Sequence, residues 1–154
     1  MFLLAPLFSA PQTAYAAVAI TVTGSWVETI DKNDLISGAG SDLQGTYTSV
    51  SGQVSLDISG TSDSSDAWRI EVTKIDSSWN SSLHPYVMRT SAGTGGSVSG
   101  GTSYQEVTAI NTSFFSGSGD VTGINVKLRM TGASIQINPA AYSTVLYYTV
   151  VDIE

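Results

Sequence analysis

No cysteine occurs in this 154-residue sequence, so neither disulfides nor thiolate metal sites contribute to it. Charge is scarce too: 12% of residues are charged, and six Lys and Arg stand against 13 Asp and Glu, for a net charge of −7. Binding to nucleic acid needs clustered cations, and these six are scattered, which argues against that partner. The single histidine, His84, directly precedes Pro85, and no Gly-x-Ser-x-Gly elbow accompanies it. A triad is defined by geometry rather than by order in the chain, but nothing in the sequence nominates one around His84. Carboxylates fall singly on strands or in turns, and none pairs with another as acid and base by spacing. No catalytic residue is assigned, and the protein reads as non-enzymatic.

What is present is a chain whose polarity comes from Ser, Thr and Gly, a composition common on secreted β-proteins. Residues 1–10 (MFLLAPLFSA) form a short apolar run, and Ala14-Tyr15-Ala16 ends it as a small-x-small site. That is the pattern of a secretory signal peptide, too short to span a bilayer, although no Lys or Arg precedes the run. The expectation is cleavage after Ala16, a single domain over residues 17–154, no later membrane span, and a secreted, periplasmic or cell-surface location.

Periodicity of two dominates the remainder. Residues 17–23 (AVAITVT) alternate, as do residues 26–30 after Gly24. Asp31 to Asp34 cap a single helical turn before a loop at residues 37–41. Val54, Leu56 and Ile58 point inward from one strand, and Trp68, Ile70 and Val72 from the next. The polar turn 60–66 between them suggests a hairpin, with Asp57 facing Arg69 on the wet face. A strand at residues 83–90 contains Pro85 and is therefore an edge strand or one that starts late. Residues 91–101 are glycine-rich and read as a mobile loop tip. Short strands are expected at residues 104–110, 112–116 and 135–137, with a turn at the glycine-containing residues 116–120. Residues 123–130 form a longer strand, with Ile124, Val126, Leu128 and Met130 inward and Asn125, Lys127 and Arg129 outward. The last strand, residues 142–153, is apolar on both faces and reads as the element the chain is organised around, completing the sheets that the upstream strands form. The expected fold is all-β: an antiparallel β-sandwich of Ig-like or Greek-key type with about eight short strands.

Two ligand chemistries have candidate residues. Asp63 and Asp66 in the Ser-rich turn, with Asp57 from the neighbouring strand, offer oxygens to a Ca²⁺ ion, though Asp in turns commonly bonds its own backbone. Trp79, Tyr86 and Tyr104 offer flat rings to a polysaccharide; Trp79 would serve equally as a lid folded over one end of the sandwich. No other cofactor is expected. The Gly95-Gly96 and Gly100-Gly101 pairs are not a phosphate cradle, because no Lys and no helix follow them.

Residues 139–150 (PAAYSTVLYYTV) join a proline turn, a Tyr and an alternating Thr/Val run. This ending resembles the closing strand of secreted pilin-like subunits of the spore-coat-U and chaperone–usher type, although the disulfide and N-terminal Cys usual there are missing. The resemblance implies a structural subunit that assembles by strand exchange with copies of itself or related surface subunits. Residues 17–23, with Ala17, Val18, Ile20 and Val22, are an uncharged strand at a free chain end that can pair within its own domain or with a neighbour's edge. The leading expectation is an exported structural or adhesive cell-surface protein. The alternative is a secreted carbohydrate-binding module.

Overall fold

The computed structural model describes residues 17–153, so the leader assigned to residues 1–16 lies outside them. Among the described residues nine strands and one 3₁₀ turn follow in order: β1 (Ala19–Gly24), the turn (Lys32–Asp34), β2 (Thr46–Thr48), β3 (Val54–Ser59), β4 (Ala67–Ser78), β5 (His84–Arg89), β6 (Thr94–Gly100), β7 (Gln105–Glu106), β8 (Thr112–Thr131) and β9 (Ser143–Asp152). All ladders are antiparallel. The sheet folds over a main core in a nearly closed, sandwich-like arrangement.

β8 is the axis of this arrangement. Met130 faces Tyr47 of β2 and Pro85 of β5; Val126 faces Val54 of β3 and Arg89 of β5; Val121 faces Ile58 of β3 and Gly95 of β6; Ser118 faces Ala67 of β4 and Ser97 of β6. A strand has two edges, so β2, β3 and β4 lie end to end along one and β5 and β6 along the other. β1 then pairs outside β3, β7 outside β5 and β9 outside β4. The closing strand therefore sits at a margin, and the 20-residue β8 holds the centre.

Such a long strand serves a compact core only if it bends, and β8 bends at bulges. Gly119 and Gly123 have φ of 69° and 72°, which side-chain-bearing residues rarely adopt. Between Leu56↔Ile124 and Ile58↔Val121, two steps of β3 span three of β8. Inward parity accordingly changes from Ile124, Val126, Leu128 and Met130 to Val121 and Phe115, all buried. A second slip, between Ile70↔Phe115 and Glu71↔Ser113, leaves Phe114 as the extra residue, so Phe114 and Phe115 both turn inward. Both halves of β8 thus feed one core, with Trp68, Leu56, Ile58 and Ile70 fully buried.

Several expectations from the sequence are corrected. The expected hairpin does not form, because β3 and β4 are collinear along β8 instead of side by side. Asp57 consequently does not meet Arg69; it accepts a 2.7 Å hydrogen bond from Gly123 N, while Arg69 pairs with Glu71 at 2.6 Å. The glycine-rich stretch expected to be a loop tip contains β6, and the turn expected at residues 116–120 lies inside β8. In both places Gly permits close approach: a Cβ on Gly96 would collide with the Ser118 carbonyl, and one on Gly117 with the Ser97 carbonyl and the Trp68 ring. Residues 26–30 and 135–137 are not strands, and of residues 104–110 only Gln105–Glu106 is. The first two segments lack a ladder partner, and their apolar residues Trp26, Ile30 and Ile137 pack onto a second small core around Tyr47, Leu83, Met130 and Ala133. The capped turn at Asp31 is present, with Asn33 N donating to Asp31 Oδ1 at 2.7 Å and Asp31 N to Asp34 Oδ2 at 2.8 Å.

Candidate functional site

Two of the sheet's open edges, those of β1 and β9, define the candidate region. β1 hydrogen-bonds only to β3, in register from Ala19↔Ser59 to Gly24↔Val54, and β9 only to β4. They approach one another without sharing a ladder. Beside them a cleft of about 950 Å³ opens beneath the long connections 25–45 and 132–142, lined by Val22, Trp26, Val54, Trp79, Leu146 and Tyr148. Asp42 ties the two connections together: its carboxylate accepts from Ile135 N at 2.9 Å and Ser134 Oγ at 3.2 Å. Those backbone and side-chain donors, Ile135 first, hold its carboxyl below the usual carboxylate range.

β1 itself is lightly held. Of its six residues only Ile20 is even half-buried, and Val22 is 42% exposed. Val18 and Ile20 pack against the main core while Ala17 lies exposed. β3 beneath it buries Val54, Leu56 and Ile58 without help from β1's outward side chains.

The candidate cation ligands are distributed over the bend. Asp63 Oδ1 accepts from Ser65 N and Oγ and from Asp66 N; Asp66 Oδ2 accepts from Ser62 N; Asp57 is bonded to Gly123 N. Asp120 completes the fastening by accepting from Thr61 N and Oγ at 3.0 and 2.7 Å. Each caps backbone donors that the turn and the bulge leave unpaired. Among the described residues no group of three His, Cys, Asp or Glu is placed to hold a metal. Hydrogen bonds from Ser65 and Thr61 hold the Asp63 and Asp120 carboxyls below the ordinary range, and the Lys74 ammonium does the same for Asp76. Because these folded-state pKa values are depressed, their contribution is complete above the unfolded value of about 3.9 and is lost as pH falls through the folded ones. The midpoint of thermal unfolding should therefore be level from about pH 7 to 5 and fall below about pH 4. Asp120→Asn should flatten part of that fall.

The aromatic candidates separate into two places. Trp79 folds down onto the second core, its Nε1–H donating to Leu83 O at 2.7 Å, with the Lys74 ammonium 5.8 Å from its ring centre. Tyr86 borders the same cleft. Register places Tyr86 opposite both Arg129 and Glu106, so these three share the outer face of β5, β7 and β8. Tyr104 joins them: the Arg129 guanidinium lies 3.4 Å from its ring centre. His84 Nδ1 meets Glu106 Oε1 at 2.7 Å on that face. Parity along the strand makes Arg129 and Lys127 legible as outward, but stacking on Tyr104 depends on the β5–β7 pairing, which parity does not reveal.

No protein family, curated protein or solved structure matches this chain.

Proposed function

We propose that this is an exported, non-enzymatic structural subunit of a cell surface that assembles by giving β1 to a neighbouring copy. The observation that carries this reading is the uneven hold on β1: one ladder, one half-buried side chain, and a position at the chain's N-terminal side of the domain. Exchange would remake the same β1–β3 pairs between molecules, so its enthalpic cost is small once β1 is released. Natural edge strands are commonly blunted by Lys, Pro or inward charge. β1 (AITVTG) has none of these and keeps an open, uncharged edge. The leader expected at residues 1–16 supplies the route to the surface.

Size-exclusion chromatography and electron microscopy of residues 17–154 should show assemblies. Deletion of residues 17–23 should give a folded monomer by circular dichroism. A deletion protein that still assembles, or an intact one that stays monomeric at high concentration, removes the exchange reading.

A further inference from the structure

Of the chain's six cations, Arg69 and Lys74 are paired with Glu71 and Asp76, Arg89 is buried with Nε donating to Gly100 O at 2.8 Å, and Lys32 stands exposed in the 3₁₀ turn. Lys127 and Arg129 form no ion pair, and their side chains make no hydrogen bond, with any described residue. They are two residues apart on β8, so they emerge on one face about 6.8 Å apart. Tyr86 stands opposite Arg129 and Met88 opposite Lys127. Tyr104 holds the guanidinium by stacking, and Arg129 Nε is buried without a partner. The one carboxylate on this part of the face, Glu106, is engaged by His84 instead.

We infer that the outer face of β5 and β8 binds a carboxylated polysaccharide, a polyuronate, with the Arg129 fork on a sugar carboxylate, Lys127 on a second anionic group, and the Tyr86 and Tyr104 rings and phenols against the sugar. An arginine held flat on an aromatic ring is pre-oriented for bidentate carboxylate binding, and little side-chain freedom is lost on contact. The aromatic neighbours suit the apolar faces of a pyranose. Net charge selects among anions: a protein of −7 repels a dense polyanion at long range, so attraction has to come from contacts. A uronate supplies such contacts, a planar carboxylate for the fork and an apolar ring face for the aromatic side chains, where a phosphate or sulfate group offers neither that planar match nor the same ring face. Tyr86 and Arg129 border the cleft that Val22 of β1 also lines, but none of the four residues pairs with β1, so binding here needs neither strand exchange nor assembly.

Calorimetric titration of the protein with oligogalacturonate, with its methyl ester, with heparin and with single-stranded DNA tests it. Saturable binding to oligogalacturonate that falls at least tenfold for the methyl ester is expected, with weaker binding to heparin and DNA. Arg129→Lys, which keeps the charge and loses the fork, should weaken binding at least fivefold, and Lys127→Gln, on a half-buried side chain outside the core, at least threefold. No binding to oligogalacturonate, equal binding to its ester, equal or tighter binding to heparin or DNA, or unchanged affinity in both variants would overturn the inference. The ester comparison uses unaltered protein and holds even if Arg129→Lys fails to fold.

Discussion

Trp68→Ala is expected to remove most of the protein's stability. The ring is fully buried, meets Phe115 edge-on at 6.2 Å between centres, and donates its indole N–H to Gly119 O at 2.9 Å. Truncating a buried Trp costs about 3–5 kcal/mol, and a buried carbonyl left unpaired adds about 1–3 kcal/mol. Domains of this size hold about 5–15 kcal/mol in total. The lost bond also lies at the bulge where β8 changes direction, so the defect falls on the axis to which five other strands attach. Urea unfolding followed by circular dichroism should show a large fall in midpoint, or no folded baseline at all. Gly117→Ala probes the same contact from the opposite side. Its new Cβ would lie 2.5 Å from the Trp68 ring and against the Ser97 carbonyl, an overpacking worth about 1–3 kcal/mol or more. A Trp68→Ala protein that unfolds within about 1 kcal/mol of the parent would mean that the two halves of β8 do not depend on this ring.

Locking β1 to β3 should abolish assembly, the second large effect. Thr23 and Ser55 are Cα partners in the ladder, and antiparallel partners lie about 4.5–5.5 Å apart, inside the range a disulfide spans. The chain has no cysteine, so Thr23→Cys with Ser55→Cys permits one bridge per domain and no competing pairing. Oxidised as a monomer, the double variant should remain a monomer, and reduction should restore assembly. Reduced, assembled and then oxidised, it should instead give a covalent ladder on a non-reducing gel, because the new thiol on β1 then faces the one on β3 of the next molecule. Ladders absent from the assembled and oxidised sample would show that β1 stays at home and that contact between copies lies elsewhere.

Much of the fold is legible in the sequence because strand alternation is local. Parity turns Val54, Leu56 and Ile58, then Trp68, Ile70 and Val72, then Ile124 to Met130 inward, and the apolar residues of each set are buried. The capped turn at Asp31 is legible for the same reason, since a cap involves residues three apart. Glycine misleads in two places. In residues 91–101 and 116–120 it suggests turns, yet it serves a close crossing of β6 over β8 and the bulges of β8. The same letter answers two physical needs, and only neighbouring chain distinguishes them.

The candidate site divides along the same line. That Lys127 and Arg129 point outward follows from the sequence, as does the uncharged character of residues 17–23. That Lys127 and Arg129 lack ion-pair partners among the described residues, that Tyr104 stacks on Arg129, and that β1 has a single ladder follow from which strands pair, a matter of contacts between residues far apart in the chain. Side-chain alternation and composition by themselves determined an all-β, antiparallel protein and the inward face of its main strands, because those depend on neighbours along the backbone. The tertiary structure alone decided that β8 is the axis, that β3 and β4 are collinear along it, and that β1 and β9 lie at open margins, because hydrogen-bond partners are chosen by long-range packing, where a bulge at a glycine redirects a whole strand.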